Sequence, residues 1–387
     1  MPIKIARIIT RMDLGGAQQA VLSLGRGLDK TQFEQILITG EGGLLLSEVS
    51  AVPSFRHYVV PELRRNIGLF SVRMDLKAIL SIRNILRKEK ALIVHTHTPK
   101  AGIIGRWAAR LAGVPVIVHT YHGFGFSDSM VWWKKLAYVW IERMTARVTT
   151  GFVAVSENNL RKGEIYGLFR RQTCDLIRSG IEVSTFQRIP PIPTSYRMEL
   201  SLVATDRIVG TIASLKPPKA LHLLLKVAKM VSAQVADVKF VIVGDGELRT
   251  QLETQIRELR LESVVRLLGW RRDISKLLRL FDLFVLTSLW EGLPRVLVEA
   301  SLAGVPVVAF DVDGVSEVVV HGRNGYLVTP GDLDAMTRRI VELLRNEDLR
   351  KNLGRESCVL ADEFSVERML EQHAALYLRF VSRVGLT

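Results

Sequence analysis

Two carboxylates with seven residues between them, Glu291 and Glu299, have the setting best suited to hold a ligand. Glu291 opens the run Glu291-Gly292-Leu293-Pro294-Arg295, directly after an apolar stretch that reads as a strand over 283–287. Pro294 suits the first turn of a helix, where its missing N–H costs nothing. Glu291 is therefore expected on a loop at a strand's carboxyl end, with Glu299 about one turn into the following helix. Free N–H groups at the helix start, around Gly292, Leu293 and Val296, suit a phosphate. A carboxylate on either side can accept hydrogen bonds from hydroxyl groups. Taken alone, two solvated acids favoured by the helix dipole would look the same.

Further candidates follow other predicted strands. Leu14-Gly15-Gly16-Ala17 opens a helix after the first strand, where glycine lets backbone approach a ligand closely. Val243-Gly244-Asp245-Gly246-Glu247 resembles the start of a dinucleotide fingerprint but lacks the third glycine, so it reads better as a turn lining a nucleotide site. Ser214-Leu215-Lys216-Pro217-Pro218-Lys219 places two lysines between a strand and a helix, where they can meet a diphosphate as point charges. His95, His97, His119 and His122 cluster at two neighbouring strand ends, but their spacing matches no metal motif. His122, on the loop Tyr121-His122-Gly123, is best placed to reach a ligand. Asp311-Val312-Asp313 precedes Gly314 and reads as a polar turn; no metal site is expected.

The elements that must position these residues alternate as βα repeats, the signature of parallel sheets. In the first half, strands are expected over 3–9, 34–39, 56–60, 91–95, 116–120 and 151–155, with helices over 17–27, 74–88, 100–112 and 131–146. Pro190, Pro191 and Pro193 mark 188–195 as an extended linker. A second series follows: strands over 208–212, 239–243, 265–268, 283–287 and 305–309, helices over 221–233, from 247 through 260 and from about 294, and a last helix over 365–381. The division is thus 1–187, linker 188–195, 196–364, and a terminal helical segment 365–387 free to cross back to the first domain. Two such domains imply a cleft between them, a preferred ligand site.

Bulk composition narrows the function classes. The 387 residues have 48% hydrophobic and 24% charged content, ordinary for a globular protein. No apolar run is long enough to span a bilayer, and the start MPIKIARIIT reads as a buried strand, not a secretory signal. Cys174 and Cys358 lie far apart, which fits a reducing cytoplasm better than a disulfide framework. The net charge of +14 is uneven: residues 1–195 hold 27 Lys+Arg against 14 Asp+Glu, so the first half carries almost all the excess. Such a field attracts a polyanion, an anionic membrane or an acidic substrate. Arg64, Arg65, Arg73, Lys77, Arg83, Arg87, Lys88 and Lys90 lie on or beside one predicted helix, and Val131-Trp132-Trp133-Lys134-Lys135 joins aromatics to lysines, a combination suited to a lipid interface.

In order and spacing these segments resemble the family 4 glycosyltransferases, retaining enzymes of GT-B fold. The resemblance spans nearly the whole chain, through DLGGAQQAVLSLGRGL (13–28), VHTHTPKAGIIGRWAARLAGVPVIVHTYHGFGF (94–126), FVAVSENN (152–159), VGDGE (243–247), FVLTSLWEGLPRVLVEASLAGVPVVA (284–309) and NGYLVTPGD (324–332). It implies two Rossmann-like domains facing each other across a cleft. It also implies transfer of a sugar from a nucleotide donor, UDP-linked by overall resemblance, to a saccharide or lipid-linked saccharide, with no cofactor and no divalent metal. Glu299 would hold the ribose, Glu291 the sugar hydroxyls, and Lys219 the diphosphate. His122 would sit by the sugar ring, Gly15 and Gly16 would let the first domain close on the phosphates, and Arg271 would lie near the base. Three positions depart from the pattern: Ser214 replaces the usual Arg, Ala220 the usual Gly after the Lys, and Gln18 the usual acid. Serine cannot make a bidentate cationic contact, and Lys216 is expected to compensate. An epimerase or hydrolase of the same fold would use the same cleft, and a basic nucleic-acid-binding protein would explain the charge, although no nucleic-acid motif is present. The protein is therefore expected in the cytoplasm, peripheral on the inner face of the membrane, with no nucleic-acid partner.

Overall fold

Strands such as IKIARII and VKFVIV are apolar on both faces, so they are stable only in a sheet covered on both sides. The computed structural model describes residues 2–64, 71–126, 130–357 and 362–385. Arg65 and Cys358 lie outside the described residues. The chain divides into two units, one of residues 1–180 and 366–387, the other of residues 181–365.

In the first unit the elements are β1 (Ile3–Ile9), α1 (Gly16–Gly27), β2 (Phe33–Thr39), α2 (Leu46–Ser50), β3 (Phe55–Val59), α3 (Ser71–Glu89), β4 (Ile93–His97), α4 (Pro99–Ala112), β5 (Val116–Tyr121), α5 (Trp132–Ala146), β6 (Gly151–Ala154), α6 (Glu157–Ile165) and β7 (Cys174–Leu176). The seven strands are parallel, in the order β3-β2-β1-β4-β5-β6-β7. Strand alternation sends Ala6 and Ile8 to one face, under Ala78 and Ile82 of α3 and Ile104 and Ala108 of α4. Ile5 faces the other side, where it meets Ala20 and Leu24 of α1.

The second unit contains α7 (Val183–Gln187), α8 (Thr194–Glu199), β8 (Arg207–Ile212), α9 (Leu221–Ser232), β9 (Val238–Val243), α10 (Arg249–Glu258), β10 (Val265–Leu267), α11 (Ile274–Leu280), β11 (Leu283–Leu286), α12 (Arg295–Leu302), β12 (Val307–Phe310), β13 (Gly325–Val328), α13 (Leu333–Arg345) and α14 (Glu347–Ser357). Its six parallel strands run β10-β9-β8-β11-β12-β13, so the order reverses between β8 and β11. The proline-bearing stretch 188–195 lies within this unit, and Pro193 N-caps α8. The last helix, α15 (Val366–Arg383), belongs to the first unit, where Met369, Leu376, Tyr377 and Phe380 pack with Ile5, Ile93 and Val118.

Two strands begin later than their apolar runs suggest. Ala91 closes α3 through its N–H to the Leu86 carbonyl, so β4 starts at Ile93 and carries both His95 and His97. Val305 likewise bonds back to Ala300 and belongs to the turn ending α12, leaving β12 to start at Val307.

Candidate active site

In an open parallel sheet, ligands bind beyond the carboxyl ends of the strands where the strand order reverses. In the second unit that point lies between β8 and β11. The loop after β8 carries Ser214, Lys216 and Lys219, and the loop after β11 carries Glu291. Hydrogen bonds tie the two loops together: Leu289 N–H donates to the Pro218 carbonyl (2.9 Å), and the Thr287 hydroxyl donates to the Lys219 carbonyl (3.0 Å). Lys219 Nζ then lies 2.5 Å from Glu291 Oε1, with both side chains largely shielded from solvent. The Glu291 N–H is fixed in turn by Asp313 Oδ2 at 2.7 Å.

The turns that hold this pair carry backbone strain. Ala220, directly after Lys219, is left-handed at φ 44°, ψ 40°, and Asp313 has φ 45°. Alanine in that conformation costs about 1–2 kcal/mol, which explains why glycine is the usual residue at this point of the family pattern. Gly244 sits at φ 131°, and a Cβ there would stand 2.0 Å from the Ala213 carbonyl oxygen. A Cβ on Gly246 would stand 2.6 Å from that of Leu215. Both glycines therefore let the β9 loop pack against the β8 loop, which Leu215 N–H to the Asp245 carbonyl (3.0 Å) also secures. Ser214 and Lys216 occupy the same β8 loop, with Lys216 N–H donating to the Ser214 carbonyl at 2.8 Å.

Helix α12 begins right after Pro294, so the backbone around Gly292, Leu293 and Val296 lies at its N-terminal end. Glu299 is half-buried one turn in. Burial raises its carboxyl above the ordinary range, and the positive charge of Arg295, four residues earlier, opposes that shift. Such a carboxyl gains from hydrogen bonding to hydroxyl groups. Arg271 is already engaged: its guanidinium donates to both carboxylate oxygens of Asp273 (2.9 and 2.6 Å) and to Glu199 (3.2 Å). The Arg271 hydrogen bonds hold the Asp273 carboxyl down at about 2.

In the first unit, the carboxyl ends of β4 and β5 bring together His97 and His122, and Gly15 lies on the loop that follows β1. Gly15 caps α1 in an extended conformation, Gly16 is exposed, and Gln18 Nε2 latches the loop by donating to the Arg11 carbonyl (2.9 Å). His97 Nδ1 and His122 Nε2 share a hydrogen at 3.1 Å. The other histidines pair with hydroxyls: His95 with Tyr377 and Thr120 (both 2.6 Å), His119 with Thr96 (2.8 Å). Burial depresses the basicity of His95, His97 and His119 well below the ordinary range. Among the described residues, no group of three or more His, Cys, Asp or Glu side chains is arranged to hold a metal ion.

Asp313 and Tyr377 are the participants that sequence reasoning missed. Asp313 had a readable signal, an acid after β12 beside β11. Tyr377, far along the chain from His95, had none.

Two family models match the chain: "Glycosyl transferase 4-like domain" over residues 15–162 and "Glycosyl transferases group 1" over residues 194–357. An Escherichia coli protein, UDP-Gal:alpha-D-GlcNAc-diphosphoundecaprenol alpha-1,3-galactosyltransferase, is 33% identical over 98% of this chain and 97% of its own length. The Staphylococcus aureus capsular polysaccharide biosynthesis glycosyltransferase CapM is 26% identical over 84% of this chain and 85% of its own. Anabaena Alr3699/HepE, solved in complex with UDP and glucose, superposes with a TM-score of 0.82 at 23% identity, covering 97% of this chain and all of that one. Sucrose-phosphate synthase from Thermosynechococcus elongatus gives 0.84 at 19% identity, over 98% of this chain and all of its own. The two parallel-sheet units have the GT-B architecture, and the chain belongs to the group 1, family 4 glycosyltransferases.

Proposed function

We propose that this enzyme transfers a sugar, with retention and without a divalent metal, from a UDP-sugar to a saccharide carried on a lipid diphosphate. The product would serve cell-surface polysaccharide or glycolipid synthesis. The observation that carries this reading is the Lys219–Glu291 pair at the switch point between β8 and β11, beside the N-terminal end of α12. The donor's charge is concentrated on its diphosphate, and the step leaves a nucleoside diphosphate behind. A lysine and the helix-start N–H groups around Gly292, Leu293 and Val296 stabilise that developing charge.

In this reading Glu291 accepts hydrogen bonds from the transferred sugar and keeps Lys219 in place, Lys216 adds a second positive charge where Ser214 offers none, and Glu299 receives the ribose hydroxyls. Gly246 shapes the phosphate-side turn, and Arg271 with its partners borders the base. From the first unit, Gly15 and Gly16 serve the phosphates and His122 the sugar ring. The bond between C1 and the diphosphate oxygen breaks, the acceptor oxygen bonds to C1 from the same face, and the departing phosphate takes the acceptor proton. The acceptor class is supported by the E. coli relative, whose name specifies a diphosphoundecaprenol-linked sugar. The basic N-terminal half would hold the enzyme on the inner face of an anionic membrane, with no nucleic-acid partner.

The test is transfer of radiolabel from a UDP-sugar to a polyprenyl-diphosphate saccharide, with the anomeric configuration of the product read by NMR. The expected product keeps the donor's configuration, EDTA leaves the rate unchanged, and Glu291→Ala abolishes transfer while circular dichroism shows the chain still folded. Full activity in Glu291→Ala, inversion at C1, or loss of activity in EDTA would refute the corresponding part.

A further inference from the structure

Helix α5 is unusual in what it leaves uncovered. Its fifteen residues follow β5 and bury Val139, Glu142 and Thr145. Trp132, Trp133, Leu136 and Trp140 remain 72, 55, 60 and 63% exposed. At about 100° per residue these four side chains fall within an arc of roughly 100°, one continuous stripe. Further along the same face the exposed residues are Arg143 and Arg147, and Lys134 flanks its start. The stripe thus runs from apolar at the helix start to basic at its end. A shallow groove of about 710 Å³ runs along it, lined by Trp132, Lys135, Leu136, Trp140, Arg143 and Tyr166.

Helix α3 repeats the arrangement. Val72, Leu76 and Leu80 are exposed one turn apart, and Arg73, Lys77, Arg83 and Arg87 lie beside or beyond them along the same side. Both helices belong to one layer: α3 packs on α4, and α4 on α5. Each follows one parallel strand and leads into another, so both run back against the sheet. Their apolar starts therefore lie at the carboxyl edge of the strands, the edge that carries His97 and His122.

We infer that the outer faces of α3 and α5 form a docking surface for an anionic lipid bilayer, oriented so that the carboxyl edge of the first unit's sheet meets the membrane. Tryptophan prefers the headgroup level of a bilayer, where its ring is apolar on one side and wet on the other. The basic residues beyond it meet lipid phosphates. The inference deepens the peripheral-membrane reading proposed above by naming the surface, its polarity and its tilt. A saccharide on a membrane-bound lipid would then reach the His122 loop without leaving the bilayer. Charge complementarity favours lipid over a protein partner or a second copy of the chain: both stripes are bordered by cations, and the residue excess of positive charge falls in this half of the sequence.

The test is flotation of the full chain with vesicles of phosphatidylcholine alone or mixed with phosphatidylglycerol. The comparison proteins are a Trp132→Ser/Trp133→Ser/Trp140→Ser variant and an Arg73→Glu/Lys77→Glu/Arg87→Glu variant. All six positions are exposed, so folding is expected to survive, and circular dichroism checks it. The wild type should bind the mixed vesicles, more weakly at high salt. Each variant should lose about tenfold or more in affinity, or about 1.4 kcal/mol, while keeping its rate on a short-chain water-soluble acceptor. Wild type that ignores both vesicles, or variants that bind as well as wild type, would overturn the inference. So would a dimer in gel filtration that the tryptophan variant dissolves, which would assign the face to a second copy. Flotation needs neither donor nor acceptor, so a wild type that binds vesicles but transfers no sugar would refute the proposed reaction and leave this surface standing.

Discussion

Acidification should destabilise chiefly the first unit, by an amount set by its buried histidines. His95, His97, His119 and His373 are nearly inaccessible to solvent. Desolvation is the largest cause in each case, holding the first three well below the ordinary value of 6.5 and His373 at about 3. Above pH 6.5 these rings are neutral in both the native and the unfolded chain, so they have no effect on stability. Below it the unfolded chain takes up protons that the native rings refuse, and stability falls until the native values are reached. Between about pH 7.5 and pH 5.5 each such ring removes about 1.4 kcal/mol. Four together remove roughly 5 kcal/mol, a large share of a typical folding free energy. Urea unfolding at the two pH values measures the total. Hydrogen-exchange protection should fall in β1, β4 and β5 while β8, β9 and β11 keep theirs. His373→Phe should recover about a quarter of the difference. Stability constant to within about 1 kcal/mol, or a slope unaltered by His373→Phe, would refute this account of the buried histidines.

Other outcomes follow from single contacts. Glu142 accepts from Arg106 (2.7 Å) and from the Tyr121 hydroxyl (3.0 Å) in a fully buried cluster, so Glu142→Leu should cost about 3–5 kcal/mol in chemical denaturation by stranding the guanidinium. Gly244→Ala must place a methyl against the Ala213 carbonyl at positive φ; it should cost at least about 2 kcal/mol and raise the donor KM by disturbing the β8 loop. Lys216→Ala should weaken UDP binding about tenfold by calorimetry if Lys216 stands in for the Arg missing at Ser214, and unchanged affinity would show that it does not.

The parts of the fold set by local periodicity were legible. The apolar run of β1 and the Pro-led start of α12 announce themselves, because side-chain alternation and helix caps are properties of a few adjacent residues. Short or polar elements were harder to see. Strand β13 is four residues long, and α6 is capped by the Ser156 side chain accepting from Asn159 N–H, a signal present in the sequence but diluted by a polar helix. Contacts set by tertiary closure left no local trace. Glu291 could be assigned to a strand end, but its meeting with Lys219 depends on β8 and β11 lying side by side. Arg271 could be placed near a nucleotide base by family pattern, but its bond to Glu199 emerges only once α8 has folded beside it. The left-handed backbone at Ala220 explains a family glycine that the sequence alone records merely as a difference.

The return of α15 to the first unit has a consequence for the order of assembly. Tyr377 receives a hydrogen bond from Arg7 on β1 (2.8 Å) and pairs with His95 on β4. Until that helix arrives, a buried guanidinium and the apolar faces of Ile5, Ile93 and Val118 lack their cover. The second unit, roughly 185 residues long, lies between them in the chain. At about 5–20 residues per second, the ribosome needs about 10–40 s to make it. The half of the protein that is synthesised first must therefore wait, incompletely closed, while the half made later can finish, and the first sheet gains its full cover only once α15 has been made.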